Sequence, residues 1–364
     1  MKAIILAGGF GTRLRPLSCT RPKLLFPVAD RPVVDWTLEN LSNGDVDEVI
    51  LAVNYMADVL ERYLGEKRFG MKITYSHEAK PLGTAGPLRN AKHLLGEKDP
   101  FFVLNGDIIS EVDYNLVHKE HVENGGDLTI VLHKEEDPSR FGVVELDNEN
   151  RILKFVEKPG ADQELGKLVN AGIYVVEPRV IDMIDPGRNV SIEREIFPVL
   201  ANRGRLYGSK YDGIWIDIGT PEDYLSANYS ILGLKGGEDP RGENAQIDPT
   251  ATILQPTAVG SNVRIGAHAH IGPRTSIGDN AVIGEGARIE GSVIFNGAQI
   301  DNFSSIEGAI IGESAIIGRW ARIMRNVIVA DHAIIDDNVT LIEGVKVCHY
   351  KEVKESILTP SNIM

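Results

Sequence analysis

Two different hydrophobic patterns divide the chain. Up to Lys235, short runs of β-branched and aromatic residues alternate with longer stretches in which apolar residues recur every three or four positions. The short runs predict strands at Lys2–Leu6, Glu48–Val53, Lys72–Tyr75, Phe101–Leu104 and Leu128–His133. The longer stretches predict helices at Val33–Asn43, Ala57–Leu64, Leu82–Leu95 and Tyr114–Asn124. Strands that alternate with helices predict a mostly parallel sheet that is covered on both faces.

In the second part of the chain an aliphatic residue recurs at every sixth position. The uninterrupted run consists of Ile247, Ile253, Val259, Ile265, Ile271, Ile277, Ile283 and Ile289. The register then slips, and the period resumes at Ile294 and again at Ile311. A six-residue period fits neither a helix nor a coiled coil, but it fits a solenoid of short flat strands with a tight turn at each corner. Because three such hexads make one coil, residues 247–341 predict about five coils.

The change of pattern sets the predicted fold class and domains. The fold is α/β, with a Rossmann-like, mostly parallel sheet domain over residues 1–232 and a parallel β-helix over residues 244–364. The left hand of that helix is taken from its resemblance to other hexapeptide-repeat proteins. Residues 233–243 are rich in glycine and charge and are predicted to form a linker. The length of 364 residues agrees with two domains, since a single core stops growing at roughly 250–300 residues.

Charge and composition narrow the range of functions. The formal net charge of −14 argues against a general binder of nucleic acid or membrane surfaces, which needs a basic face. No apolar run approaches the roughly 18 residues of a membrane span. The two cysteines, Cys19 and Cys348, are far apart in sequence and do not indicate a disulfide framework. We therefore expect a cytoplasmic protein.

A basic, glycine-rich segment follows the first predicted strand. It reads Leu6-Ala7-Gly8-Gly9-Phe10-Gly11-Thr12-Arg13-Leu14-Arg15, with Arg21-Pro22-Lys23 shortly after, and no acidic residue occurs before Asp30. Glycines allow backbone N–H groups to approach phosphate oxygens, and the arginines and lysine supply positive charge. The alternative is a strand-to-helix turn with solvated arginines. The Walker and Rossmann glycine motifs are both missing, so the segment predicts a different kind of polyphosphate site.

Two aspartates follow apolar runs. Asp107 ends Phe102-Val103-Leu104-Asn105-Gly106-Asp107, and Asp217 lies in Trp215-Ile216-Asp217-Ile218-Gly219. Two carboxylates that converge on a triphosphate would hold Mg²⁺, which uses one or two carboxylates together with phosphate oxygens. The alternative for each is a turn aspartate that caps the next helix.

These motifs, in this order, resemble those of the sugar-phosphate nucleotidylyltransferases. The resemblance implies catalytic roles for Arg13 and Lys23 and metal binding by Asp107 and Asp217. It implies nucleotide binding by Leu6, Ala7, Gly8, Gly9, Gly11, Thr12, Arg13, Glu78, Pro81, Gly83, Thr84 and Asp107. It implies sugar-phosphate binding by Lys23, Gly142, Glu157, Lys158, Asn170 and Asp217. Glu78 could accept the two adjacent donors on the Watson–Crick edge of guanine.

Two further stretches, Pro81–Leu88 and Ser191–Pro198, resemble the branch of that family that acts on GTP and mannose 1-phosphate. The resemblance then implies Mg²⁺-dependent formation of GDP-mannose and pyrophosphate, and a homo-oligomer assembled through the β-helix. Three alternatives stay open. One is nucleotidyl transfer to another sugar 1-phosphate, such as glucose 1-phosphate with dTTP, UTP or ATP. The others are a non-catalytic regulatory subunit and a bifunctional enzyme whose β-helix carries an acyltransferase.

Overall fold

The computed structural model describes residues 1–160, 166–234 and 242–363. The chain forms two compact units that are not continuous in sequence. The first comprises Met1–Phe10 and Val33–Ile216, and the second comprises Gly11–Pro32 and Asp217–Met364. Residues 235–241 of the predicted linker lie outside the described residues, so the division at 233–243 stays a prediction.

A mixed sheet forms the centre of the first unit. Its main strands, in spatial order, are Ile152–Glu157, Gly142–Leu146, Leu168–Val176, Phe101–Asn105, Lys2–Leu6, Glu48–Val53, Met71–His77 and Lys67–Arg68. Leu128–Lys134 pairs with Leu168–Val176, and Leu206–Tyr211 pairs in parallel with Leu128–Lys134. Four adjacent strands at the centre are parallel to one another, namely Phe101–Asn105, Lys2–Leu6, Glu48–Val53 and Met71–His77. This group confirms the predicted mostly parallel sheet.

The first strand lies in the middle of this parallel group. Ala3, Ile4 and Ile5 are fully buried, because both neighbouring strands and both faces of the sheet are covered. Its carboxyl end therefore opens beside the ends of Glu48–Val53 and Phe101–Asn105, where ligands of open α/β sheets bind.

The α-helices of the first unit are Val33–Ser42, Ala57–Leu64, Gly86–Asn90, Lys92–Leu95, Tyr114–Asn124 and Phe197–Asn202. The first, second and fifth agree with the prediction to within one residue, whereas the last was not predicted. The predicted helix Leu82–Leu95 is wrong at its start. Gly83 has a φ of +79°, and Leu82 and Ala85 exchange backbone hydrogen bonds with Val190. Residues 82–85 therefore bond to a distant segment, and the helix begins only at Gly86.

The second unit contains a parallel β-helix of three sheets. The first sheet comprises Gln246–Ile247, Arg264–Ile265, Val282–Ile283, Gln299–Ile300, Ile316–Ile317, Ile334–Ile335 and Glu352–Val353. The second comprises Thr252–Ile253, His270–Ile271, Arg288–Glu290, Ser305–Glu307, Arg322–Ile323 and Thr340–Leu341. The third comprises Thr257–Val259, Thr275–Ile277, Val293–Ile294, Ile310–Ile311, Ile328–Val329, Lys346–Val347 and Asn362–Ile363. The strands are short, flat and parallel, as the hexapeptide period predicts, and the architecture fits the expected left-handed parallel β-helix.

The slip in the hexapeptide register has a structural cause. Gln246 pairs with Arg264, which lies three full hexads further along the chain, whereas Ser276 pairs with Val293, one position short of that spacing. These coils are one residue shorter at the corner between the second and third sheets. Gly291 and Gly308 lie at that corner and adopt positive φ values of 54° and 55°. The coils also continue past residue 341 to Ile363, because Val347 and Val353 keep the aliphatic period.

One face of the β-helix is covered by its own unit. Helix Pro221–Leu234 and the segment Gly11–Pro32 contact the third sheet, whose outward side chains Ser276, Val293, Ile310 and Ile328 are at most 2% exposed. Asn228 on the helix accepts hydrogen bonds from Ser276 Oγ (3.2 Å) and from the backbone of Ala29 (2.8 Å). We call this the covered face. Among the described residues, no helix is both long and apolar enough to cross a membrane.

Candidate active site

The end of the first strand brings two predicted nucleotide-binding residues together. A Cβ added at Gly8 would lie 3.2 Å from Glu78 Oε1 and 3.4 Å from Asn54 Cβ, so only glycine fits without displacing them. Glu78 is 9% exposed, and its Oε2 accepts a hydrogen bond from the Leu82 backbone N–H at 3.1 Å. Burial raises the pKa of the Glu78 carboxyl, and the Leu82 N–H partly offsets this. The carboxylate therefore lies against the glycine-rich strand end while one of its oxygens already has a partner.

The predicted nucleotide loop is fastened to the segment that follows residue 188. A side chain at Gly83 would overlap the Val190 backbone. The Thr84 hydroxyl donates to Glu193 Oε2 at 2.6 Å and accepts from the Ile192 N–H at 2.9 Å. Asn189 Nδ2 donates to the Pro81 carbonyl at 3.2 Å. The Thr84 side chain thus holds the loop in place, and its predicted nucleotide-binding role stays a prediction.

The predicted sugar-phosphate residues meet on two antiparallel strands. Gly142 lies directly opposite Glu157, and a Cβ at Gly142 would come within 2.9 Å of Glu157 Oε2. Lys158 Nζ is 4.0 Å from Glu157 Oε1, and its backbone adopts a φ of +49°. Burial raises the pKa of Glu157, and repulsion from Glu193 raises it further. A half-buried acid and an exposed cation therefore stand side by side at the glycine.

Asn170 lies where the strand Leu168–Val176 breaks register. Its Oδ1 accepts from the Gly172 N–H at 2.8 Å, and its Nδ2 donates to the Tyr174 hydroxyl at 3.0 Å. Burial raises the pKa of Tyr174 well above its ordinary value, and the charges of Glu193, Glu157 and Asp107 act in the same direction. The charges of the predicted metal ligand Asp107 and the predicted sugar ligand Glu157 thus both act on the phenol to which Asn170 donates.

Glu193 is a site residue to which the sequence reasoning assigned no role. It accepts hydrogen bonds from Thr84 and from Ser191, both at 2.6 Å, and its charge acts on Glu157 and Tyr174. It therefore bonds directly to the predicted nucleotide loop, and its charge also acts on the predicted sugar residue Glu157. The only signal in the sequence was its position in the stretch Ser191–Pro198, which resembled the family without indicating a chemistry.

The second unit holds the other half of the glycine-rich signature. Gly11 has a φ of +58° and begins the short 3-10 turn Thr12–Leu14, which exposes Thr12 and Arg13. Ser18 Oγ donates to the Gly11 carbonyl at 2.7 Å, and a Cβ at Gly11 would lie 3.8 Å from Lys23 Cβ. The Gly11 turn, which leads into Arg13, therefore lies beside Lys23.

Arg21, one of the four predicted phosphate-neutralising cations, has a different environment. Its side chain is 16% exposed, and its guanidinium bonds to Glu313 and, at 3.1 Å, to Asp331 of the β-helix. It also lies over the Phe295 ring at 4.9 Å from the centroid. Because two carboxylates already neutralise this charge, Arg21 anchors the signature segment to the β-helix.

Asp217 ends the strand Trp215–Asp217 and is partly buried, as is Asp107 directly after Phe101–Asn105. Among the described residues, no group of three or more His, Cys, Asp or Glu side chains could hold a metal ion without another ligand. Hard carboxylate oxygens nevertheless suit Mg²⁺, which commonly takes one or two carboxylates from a protein and the remainder from substrate phosphates and water.

The fold and these side chains define an α/β protein with a glycine-rich strand end at the centre of its sheet. The profile of the nucleotidyl transferase family matches residues 2–233, and that of the GMPPB C-terminal domain matches residues 253–363. This chain belongs to the nucleotidyl transferase family.

Relatives within that family share long alignments with the chain. The mannose-1-phosphate guanylyltransferase catalytic subunit beta of Dictyostelium discoideum is 47% identical over 62% of this chain and 63% of its own length. The protein of the same name from Danio rerio is 44% identical over 70% of this chain and 73% of its own length. A putative glucose-1-phosphate thymidylyltransferase from Bacillus anthracis, solved in complex with a sucrose, is 28% identical with a TM-score of 0.58. That alignment covers 67% of this chain and 98% of the Bacillus chain.

Proposed function

We propose that this chain transfers a guanylyl group from GTP to mannose 1-phosphate, which gives GDP-mannose and pyrophosphate. The observation that carries the proposal is that the family match over residues 2–233 contains every predicted site residue. The Dictyostelium and Danio relatives, at 47% and 44% identity, bear the name of that reaction. Transfer to glucose 1-phosphate is the second candidate, since the Bacillus neighbour carries such a name at 28% identity.

The reaction needs charge neutralisation more than acid–base chemistry. An oxygen of the sugar 1-phosphate attacks the α-phosphorus of GTP in line and pyrophosphate leaves, and the attacking oxygen is already anionic. Positioning and electrostatic stabilisation therefore supply the rate. Arg13, exposed on its turn, stabilises the transferring and leaving phosphates, and Lys23 holds the phosphates that face the sugar.

The remaining residues divide between the two substrates. The backbone of Leu6, Ala7, Gly8, Gly9, Gly11 and Thr12 lines the phosphates and nucleoside. Glu78 receives the guanine edge through the oxygen that faces Gly8, while Pro81, Gly83 and Thr84 shape the loop over the base. Glu157 accepts hydrogen bonds from sugar hydroxyls beside Gly142, and Asn170 adds a further hydroxyl contact. Lys158 and Asp217 lie on the sugar-phosphate side.

Asp107 and Asp217 bind Mg²⁺ in this proposal. The bound cation supplies neutralisation of charge on the α-phosphate and pyrophosphate oxygens. Asp107 is placed for such a role because the Gly106 N–H, directly before it, donates to the Leu6 carbonyl at 3.1 Å. That bond fixes the backbone of the carboxylate at the end of the first strand, where the phosphates are expected.

A substrate matrix tests the proposal. Purified protein is incubated with each nucleoside triphosphate and each sugar 1-phosphate, and pyrophosphate release is measured. We expect GTP with mannose 1-phosphate to give the highest kcat/KM. A higher value for dTTP, UTP or ATP with glucose 1-phosphate would establish the second candidate instead.

We further propose a cytoplasmic homo-oligomer that assembles through the β-helix.

A separate variant tests the proposal that Asp107 binds the metal ion. Asp107→Asn removes the charge while keeping the shape, and we expect kcat to fall by about 10²–10³. Asp99→Asn is the matched control, because Asp99 is exposed in a loop before the same strand. Near-normal turnover of Asp107→Asn at limiting Mg²⁺ would contradict the assignment.

A further inference from the structure

The segment Gly11–Pro32 lies against one column of residues on the β-helix. The column comprises the residues that directly follow the inward aliphatic positions of the third sheet on four successive coils, namely Phe295, Gly312, Ala330 and Cys348. We call these four positions the corner column. Phe295 and Ala330 are fully buried, although neither belongs to the core inside the coils. Residues from outside the coils therefore cover the corner column.

The contacts of the segment with the β-helix follow one direction. Arg21 lies over the Phe295 ring, 4.9 Å from its centroid, and Phe26 packs edge-on against the same ring at 6.1 Å. Two coils further on, Thr20 Oγ1 donates a hydrogen bond to Asp331 at 2.7 Å. The segment is therefore followed backwards, from Phe26 to Thr20, as the β-helix advances by two coils.

Cys19 and Cys348 occupy the next step of this progression. Cys19 directly precedes Thr20, and Cys348 lies one coil beyond Ala330 in the corner column. Both thiols are free and partly buried. Burial raises the pKa of the Cys348 thiol, and the charge of Cys19 raises it further, whereas Lys351 opposes the shift. The two cysteines thus act on each other, although 329 positions separate them in the sequence.

Hydrogen bonds hold the backbones of both cysteines. The Cys19 N–H donates to the Pro16 carbonyl at 3.1 Å, and the Cys348 N–H donates to the Ile363 carbonyl at 2.9 Å. Two reacting groups that a fold holds near each other meet far more often than groups on separate molecules. This arrangement favours a bond between the two thiols over a bond to a second protein.

We propose that Cys19 and Cys348 form a reversible disulfide when the protein meets a peroxide. One thiolate attacks a peroxide oxygen, the O–O bond breaks, and a sulfenic acid and hydroxide form. The other thiolate attacks the sulfenic sulfur, the S–S bond forms, and a second hydroxide leaves. The two thiols are oxidised and the peroxide is reduced. The two thiol protons combine with the two hydroxides to give water.

The disulfide fastens the segment that carries Arg13 and Lys23 to the β-helix, because Cys19 lies between these two residues. In the cytoplasm proposed for this chain, disulfides are mostly transient and sense the redox state. The bond itself does not depend on the proposed reaction. Its expected effect on turnover does rest on the proposed roles of Arg13 and Lys23.

Peptide mapping tests the crosslink. The full chain, in dilute solution, is treated with hydrogen peroxide, the remaining thiols are blocked, and the protein is digested without reductant. We expect the peptides of Cys19 and Cys348 to be joined, and dithiothreitol to separate them. The chain has two cysteines in all, so a joined pair has a single assignment. Disulfide-linked dimers, or separate oxidation of each thiol to a sulfinic acid, would overturn the proposal.

A matched variant keeps two cysteines but moves one of them. Cys348→Ser combined with Arg322→Cys places the second thiol on an exposed position of the second sheet. We expect the intramolecular crosslink to be at least about tenfold less abundant in this variant, because a disulfide needs its Cα atoms within about 7 Å. Equal crosslinking would show that peroxide traps unfolded molecules, and would overturn a site built by the fold.

Pyrophosphate release measures the effect on turnover. We expect kcat of the oxidised protein to fall about tenfold and to recover with dithiothreitol, since a small displacement of the groups that hold the phosphates is enough. Cys348→Ser, treated alike, should show no such recoverable loss. A crosslink that leaves kcat unchanged would overturn the control of turnover. Reduced protein that releases no pyrophosphate with any substrate would refute the proposed reaction, whereas the peptide map would still decide the disulfide.

Discussion

Each compact unit contains an aspartate that is almost fully buried and bonded to an arginine. In the first unit, Asp35 is 4% exposed and accepts from Arg68 and from the Tyr63 hydroxyl, both at 2.6 Å. In the second, Asp331 is 3% exposed and accepts from Thr20 at 2.7 Å and from Arg21 at 3.1 Å. The Glu313 N–H completes the second cluster at 2.7 Å.

The two clusters join very different parts of the chain. The partners of Asp35 lie 28 and 33 residues away, and the cluster fastens helix Val33–Ser42 to its neighbours. Two partners of Asp331, Thr20 and Arg21, lie 311 and 310 residues away, shortly before Lys23. The Asp35 cluster therefore stabilises its unit, whereas the Asp331 cluster also fixes the backbone close to Lys23, a proposed catalytic residue.

The largest expected effect separates these two roles. Asp35→Ala removes the charge partner of the one-third exposed Arg68, and Asp331→Ala removes one of the two carboxylates bonded to Arg21, so each should lower the free energy of unfolding by about 1–3 kcal/mol. Only Asp331→Ala should also lower kcat, by about 10², since a misplacement of about 1 Å near the reacting atoms has that consequence. Urea unfolding and steady-state kinetics measure the two quantities.

The milder change Asp331→Asn keeps the hydrogen-bond acceptor and guards against general unfolding. It should retain the fold while reducing kcat more than KM changes. If the Asp35 and Asp331 variants lost activity equally, in proportion to the unfolded fraction, the Asp331 cluster would serve stability alone.

Acid should destabilise the first unit through His121. The ring is 1% exposed, with Nδ1 2.8 Å from the Thr129 hydroxyl, and burial lowers the pKa of His121 to about 4. His118, Arg179 and Arg205 act in the same direction, whereas Asp127 opposes it. Below pH 6.5 the unfolded imidazole binds a proton that the folded one does not. Stability should therefore fall by roughly 3 kcal/mol between pH 6.5 and 4 and stay level above that range.

Tryptophan fluorescence can follow the acid-dependent unfolding of the first unit separately from the second. Trp36 and Trp215 belong to the first unit and Trp320 to the second, so a Trp320→Phe background reports on the first unit only. Urea midpoints at pH 5 and pH 7 should differ in that background and should converge when His121→Gln is added. An unchanged difference after that substitution would remove His121 as the cause.

Local patterns determined most of the fold. The strands Lys2–Leu6 and Glu48–Val53 and the helices Ala57–Leu64 and Tyr114–Asn124 begin and end where the apolar period does. The six-residue period likewise predicted the β-helix, since each hexad buries its own aliphatic residue. The start of helix Leu82–Leu95 failed because Val190, which is remote in sequence, takes the backbone hydrogen bonds of residues 82–85.

The site was predictable only as far as residue type indicates chemistry. The sequence pointed to Asp107 because a carboxylate beside a glycine at a strand end is unusual, whereas the family resemblance pointed to Glu78 and Glu157. It could not show that Arg21 is neutralised, because Glu313 and Asp331 belong to the far end of the chain, within a repeat that looks purely structural. Nor could it assign Glu193, whose hydrogen bond to Thr84 and electrostatic effect on Glu157 and Tyr174 depend on segments remote in sequence.

The smallest expected effect concerns the two hydroxyl groups that donate hydrogen bonds to the buried aspartates. Tyr63→Phe and Thr20→Val each remove one such hydrogen bond and should cost about 1 kcal/mol at pH 7. Burial and the bond to Asp35 raise the pKa of Tyr63, so above about pH 10 the unfolded phenol ionises before the folded one and stability falls.

Tyr63→Phe should therefore make the alkaline decline shallower, whereas Thr20→Val should leave it unchanged, because an aliphatic hydroxyl does not titrate in this range. Urea unfolding at pH 8 and pH 10.5 measures both slopes. Parallel declines in the two variants would mean that other tyrosines, such as the fully buried Tyr224 of the second unit, govern the alkaline limit. In that case the Tyr63 phenol would contribute no pH dependence of its own. The stabilities that the two aspartate clusters provide would then respond to alkaline pH in the same way.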